Sequence, residues 1–164
     1  TQTVLARQRY TDSPKEFQAF LDKGMSAFTK PAVVIEKPEH EDGPKPDFEW
    51  HHKLADGQAA QKASGTLLFV AFGGKYCRPC KEMAATVFTD PAVAKILLGM
   101  TLVELETQDG EDMDANLEIL EKIADTSDVP YYVVYGKDGQ IRAQLKGKQS
   151  VGVFINFLTQ GGAR

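Results

Sequence analysis

The stretch "TLLFVAF", Thr66 to Phe72, is apolar at nearly every position and is bounded by Gly65 on one side and Gly73-Gly74 on the other. A short apolar run of this kind, without alternation, reads as a strand with neither face left to water. Such a strand needs a layer packed on each side, which points to an α/β sheet flanked by helices.

The remaining periodicities fit that frame. Asp56 to Ser64 predicts a short helix stopped by Gly65. Cys80, Met83, Ala84 and Val87 fall at i, i+3, i+4 and i+7 and predict a helix over about 78–88. "DPAVAKILLG" supplies a second short helix, with Asp90 as cap, Pro91 in the first turn and Gly99 as stop. "TLVELE" alternates as a strand does, and Met113, Leu117, Leu120 and Ala124 form a helical stripe. "YYVVY", "GKDG" and "QIRAQL" make a hairpin signal around Asp138-Gly139. "SVGVFINFL" is ambiguous: its composition favours a strand, its place after a hairpin a closing helix. The core order is β-α-β-α-β-β-α, a mixed central sheet flanked by helices.

The first 48 residues differ, and the domain proper is expected over 49–164. "SPKE", Ser13 to Glu16, is a capping box, and Phe17, Phe20, Leu21 and Phe28 follow at helical spacing, predicting a helix over about 14–29. Those side chains either pack on the domain or form a partner face. "AVVIE" is a strand candidate, and the Pro-rich, mixed-charge segment 37–47 reads as a linker. The start, "TQTVLARQRY", has no initiator Met and suggests a processed or trimmed product. A net charge of -4 offers no electrostatic case for nucleic acid or an anionic membrane, and no nucleic-acid partner is expected. No apolar run approaches the ~18 residues of a membrane span.

The chain has two cysteines, Cys77 and Cys80, directly after the apolar strand. A structural staple is one reading, but a disulfide stabilises mainly by closing a loop, and this loop is very short. A metal site is another. Structural zinc wants four ligands, and His40, His51 and His52 lie outside ligand-like spacing, although Cu(I) held by two thiolates stays open. The third is a redox pair. With the helix starting near Arg78, Cys77 sits at its N-terminus, where free N–H groups and the macrodipole favour a thiolate. Lys75, Arg78 and Lys81 add positive charge, and Glu82 opposes them. Helical spacing sends Cys80 inward and leaves Cys77 on the exposed edge. One exposed and one shielded sulfur suit dithiol exchange: the first attacks and the second resolves.

At this point the residues resemble the thioredoxin superfamily. "AFGGKYCRPCK" looks like its active-site segment and "DVPYYVVY" like the segment whose proline is cis and faces the cysteine pair. Within the superfamily, "CKEM…VFTDPAVAKIL" is most similar to the C-terminal thioredoxin-like domain of the bacterial reductase DsbD and its soluble relatives. The resemblance spans roughly residues 50–160 and implies a thioredoxin-like fold there; the N-terminal helical extension read above lies outside it. It implies a thiol–disulfide oxidoreductase acting on protein disulfides through Cys77 and Cys80, with no cofactor beyond that redox-active pair and no metal. Val129 and Pro130 are then expected beside the pair, holding an extended substrate, although a proline that merely starts a strand is the plainer reading. Tyr76 belongs to an apolar rim or to packing. Two departures stand out. The position six residues before Cys77, commonly a buried acid in such reductases, is Ala71, and the position four after Cys80, often acidic in the DsbD branch, is Ala84. Glu82 or water is left as the candidate proton relay.

Direction is a balance. Pro79 resembles thioredoxin's own dipeptide and leans towards a reductase, whereas a cation at Arg78 stabilises the thiolate and makes the pair more oxidising. The alternatives are a Cu(I)-binding chaperone on the same fold, a disulfide oxidase or isomerase, and a non-catalytic binding module. The DsbD-like branch and the non-Met start favour the periplasm over the cytoplasm. The partners implied are disulfide-bearing proteins and an upstream redox protein, with a membrane-bound donor as the candidate; oligomeric state is not legible.

Overall fold

The computed structural model describes residues 18–19 and 46–163. The chain divides into two units, Thr1–Gly43 and Pro44–Arg164. In the first, Gln18 and Ala19 are helical and exposed. The rest of the expected helix over 14–29, the strand candidate 32–36 and most of the linker 37–47 lie outside the described residues.

The described residues of the second unit form ten elements: β1 (Trp50–His51), α1 (Leu54–Ser64), β2 (Leu68–Gly73), α2 (Arg78–Thr86), α3 (Pro91–Leu97), β3 (Thr101–Glu106), α4 (Met113–Ala124), β4 (Tyr131–Tyr135), β5 (Ile141–Lys146) and α5 (Val151–Gln160). The strands form one mixed sheet in the order β1-β3-β2-β4-β5. β1, β3 and β2 run parallel, β4 pairs antiparallel with β2, and β5 pairs antiparallel with β4. Local chemistry sets the boundaries. Gly65 closes α1 in the left-handed region at φ 66°, which a residue without Cβ adopts freely. Asp90 caps α3 by accepting from the Ala92 and Val93 N–H groups.

β2 is the centre of the molecule, and all six of its residues are buried. Phe69 and Ala71 face one core, with Met83, Val87, Phe88, Leu97, Phe154 and Leu158 from α2, α3, α5 and the turn after α2. Leu68, Val70 and Phe72 face the other, with Val103, Leu105 and Leu120 and the partly buried Leu54 and Ile119. Each large apolar side chain so enclosed contributes about 1.5–3 kcal/mol relative to exposure. On the first face Phe69 and Tyr132 stack at 6.0 Å, and Phe154 meets Tyr132 edge-on at 5.2 Å. The Tyr132 hydroxyl is buried there without a hydrogen-bond partner among the described residues, and burial pushes its pKa up.

Several expectations change in detail. The ambiguous segment is helical: Ser150 caps it through the Val153 N–H, and Phe154, Phe157 and Leu158 turn one face inward at i, i+3 and i+4. α2 ends at Thr86 rather than 88 and leans on Met83, leaving Ala84 exposed. In α4 the fully enclosed positions are Leu120 and Asn116, whose side-chain amide donates to the Glu106 carbonyl at 2.9 Å, while Met113, Leu117 and Ala124 are half-buried. β1 adds an edge strand beside β3 that periodicity did not reveal, because two residues carry no period.

Candidate active site

β2 and β3 are parallel neighbours, so the chain leaving each emerges at the same end of the sheet. β4 is antiparallel to β2 and begins at that end, with Tyr131 opposite Phe72. Pro130, one residue earlier, therefore comes next to Gly73, where β2 stops. The Val129–Pro130 peptide bond is cis. Three chain segments thus meet at one edge: 74–80 after β2, 107–109 after β3 and 129–130 before β4.

Cys77 is the N-cap of α2, and its sulfur accepts the Cys80 backbone N–H at 3.2 Å. Cys77 and Cys80 form a disulfide, their Cα atoms 5.3 Å apart. Pro79 sits in the first turn, where a missing N–H leaves no helical bond unmade. The helix N-terminus offers free N–H groups and positive potential where a thiolate would form.

Exposure is the reverse of the expectation. Cys77 keeps only 4% of its surface open, whereas Cys80 is partly exposed. Helical spacing alone misplaced them. A residue at the N-cap turns its side chain back over the first turn, which tucks the Cys77 sulfur in. Cys80 rests against Gly73, whose absent Cβ would lie 3.5 Å from the Cys80 sulfur, at the rim of the sheet. Tyr76 stands out instead, at 71% exposed, with the Lys75 ammonium 5.6 Å from its ring centre. It belongs to the rim and not to the core.

The cations expected to act on Cys77 are largely engaged. The Arg78 side chain is 89% exposed, and its Nε pairs with Glu82 at 3.0 Å. Glu82 also takes the Lys148 ammonium at 2.6 Å. Hydrogen bonds from Lys148 and then Arg78 hold the Glu82 carboxyl below its ordinary range. An acid that relays protons near neutral pH works best with a raised pKa, so these surroundings run against the relay role expected of Glu82. Lys75 pairs with Asp109 at 2.7 Å, which raises the lysine's pKa and lowers the aspartate's.

Pro130 is buried and its carbonyl accepts the Gly147 N–H at 2.8 Å. Val129 is partly buried. Gly147 begins a short segment that also reaches α2, through Lys148 to Glu82 and through the Gln149 N–H to the Met83 sulfur at 3.3 Å. Neither Lys148 nor Gln149 was legible as part of the site, because 66 residues separate each from its partner. Glu106, Thr107 and Gln108 were missed as well. Their signal was the polar run "ETQDG" at the end of a parallel strand beside β2, where α/β sheets place their sites. Among the described residues no group of three or more His, Cys, Asp or Glu side chains is placed to hold a metal ion. None of the described helices is long and apolar enough to cross a membrane.

A family profile described as thioredoxin-like matches residues 49–137. The chain belongs to the thioredoxin-like family. The fold is similar to that of a thioredoxin from Thermus thermophilus (TM-score 0.56, 22% identity, covering 69% of this chain and 85% of that one). It is also similar to the reduced C-terminal domain of DsbD from Neisseria meningitidis (0.56, 21%, 65% and 91%) and to the thioredoxin of Fasciola hepatica (0.52, 22%, 70% and 99%). No curated protein sequence matches the chain. The mixed sheet and flanking helices are those the motifs implied. With a disulfide of CxxC spacing closed at the head of α2, this thioredoxin-like domain is a thiol–disulfide oxidoreductase that exchanges with proteins.

Proposed function

We propose that the domain works as a reductase of protein disulfides, with Cys77 as attacking and Cys80 as resolving thiol. In the reduced protein the Cys77 thiolate attacks one sulfur of a substrate disulfide. A mixed disulfide forms, and the other substrate sulfur leaves as a thiolate and takes a proton. Cys80, deprotonated, then attacks the Cys77 sulfur, releases the second substrate thiol and closes the Cys77–Cys80 bond. Two electrons pass to the substrate, and a dithiol protein upstream returns them. The chemistry calls on no cofactor beyond the cysteine pair.

One observation supports the direction: Glu82 pairs with both Arg78 and Lys148. A free cation beside Cys77 would stabilise the thiolate, hence the reduced form, and make the pair oxidising. With Arg78 offset by a carboxylate, that pull is blunted and the Pro79 dipeptide's lean towards reduction stands. In the disulfide state Cys77 is buried, so return of electrons requires a local opening of the segments around it. Val129 and Pro130, at the same sheet edge, are assigned to hold an extended substrate segment, and exposed Tyr76 to supply an apolar contact.

A periplasmic setting with a membrane-bound donor goes with this reading, supported by the likeness to DsbD's C-terminal domain. The test is equilibration with glutathione. A reductase gives a potential near or below the ~−230 mV of the glutaredoxin range, whereas a value near the ~−120 mV of strong disulfide oxidants overturns the direction. Capture with Cys80→Ala is its companion, expected to trap proteins through Cys77. In Cu(I) dialysis the reductase reading expects no binding tight enough to compete with exchange.

A further inference from the structure

The loop that delivers Cys77, Gly74–Tyr76, is tied to the segment after β3 by contacts that the exchange chemistry does not use. The Gln108 side-chain oxygen accepts the Tyr76 N–H at 3.1 Å. One Glu106 carboxylate oxygen accepts both the Lys75 N–H at 3.1 Å and the Gln108 N–H at 2.8 Å. Thr107 donates its N–H and its hydroxyl to the Gly73 carbonyl, each at 2.9 Å. Gly74 completes the fit: a Cβ there would collide with the Gln108 side chain, so the loop backbone and the Gln108 amide lie in direct contact. These residues come from 31 or more positions along the chain and converge on the backbone amides just before the N-cap.

We propose that Gln108 is a positioning residue for Cys77, acting through the Tyr76 amide. By fixing the peptide before the N-cap it holds the Cys77 sulfur where it meets the Cys80 N–H and the end of the helix. Gln108 carries no charge, so any change it makes in the acidity of Cys77 is a matter of placement and not of Coulomb attraction. Glu106 anchors the same strap by binding the amides on either side of the contact, Lys75 and Gln108. The proposal rests on Cys77 being the exchanging thiol.

Gln108→Met keeps the length of the side chain and deletes the acceptor. Its reduced form should alkylate with iodoacetamide at pH 7 roughly two- to five-fold more slowly than the wild type, as the thiolate loses its place at the helix end. Its equilibrium with glutathione should move towards the disulfide by a similar factor, with the melting transition still cooperative. Gly74→Ala, which forces the strap apart, should lower alkylation by a like amount in the wild-type background and have little further effect alongside Gln108→Ala. A wild-type pH profile and glutathione equilibrium in folded Gln108→Met overturns the proposal. So does an equal effect of Gly74→Ala with and without Gln108. If the wild-type protein itself fails to exchange with glutathione, the oxidoreductase reading falls and this one with it; normal wild-type exchange with unmoved variants defeats the positioning role alone.

Discussion

The Cys80 backbone N–H points at the Cys77 sulfur across 3.2 Å, so the helix carrying the second cysteine is capped by the first. An N–H donor and a helix end both favour the charged form of an acceptor sulfur. In the reduced protein Cys77 should therefore titrate below the ~8.5 of a free cysteine. The pH dependence of iodoacetamide alkylation in Cys80→Ala measures it. A value at or above the free-thiol one would remove the basis of the attacking role.

Glu82→Gln should make the pair more oxidising. It frees Arg78 and Lys148 from their shared carboxylate, and uncompensated cations near a thiolate stabilise the reduced form. All three groups are solvent-screened, so the rise should be modest, about 10–20 mV against glutathione. A fall in potential would overturn this charge-offset account, whereas a loss of exchange at neutral pH with an unchanged potential would restore Glu82 as the proton relay.

Acid stability should report the same surface. Glu82, Asp109 and Asp128 are each held below their ordinary values by hydrogen bonds, first from Lys148, Lys75 and Lys146 respectively. For a carboxyl lowered on folding, the contribution is present above the unfolded-state pKa and is lost as pH falls through the folded one. The melting temperature should therefore hold from neutral pH to about pH 4.5 and decline below about pH 4. Lys148→Met should flatten part of that decline, and an unaltered pH curve in this variant would show that the Glu82 pairing adds nothing to stability.

Tyr132→Phe should leave the fold at least as stable as the wild type. The hydroxyl is enclosed without a partner among the described residues, and an unmet buried hydroxyl costs about 1–3 kcal/mol. Its removal keeps the ring against Phe69 and Phe154. Urea unfolding should show a gain of about 1 kcal/mol; a loss of similar size would mean that the oxygen has a partner in solution.

How much of this could be read beforehand depended on range. β2 was legible because burial on both faces leaves a run such as Leu68 to Phe72 with no polar alternation. The place of Cys77 at a helix start was legible from Pro79 and the stripe through Met83 and Val87. Ala84 broke the stripe because α2 touches the sheet along a narrower face than the spacing allowed. α5 was undecided since Val, Phe and Ile suit both periods, and the Ser150 cap and the core contact of Phe154 settle it.

The amino-acid order by itself determined the chemistry: two thiols one helical turn apart, after a strand that must be enclosed on both faces. Hydrophobic spacing and capping act over a few residues, so they survive in one dimension. Which sulfur is covered, and what steadies it, was decided only in three dimensions. Gln108 and Glu106 reach the active-site loop from β3, Lys148 reaches Glu82 from beyond β5, and Cys80 lies against Gly73. Those contacts depend on strand order and side-chain direction, which packing selects and no local pattern encodes.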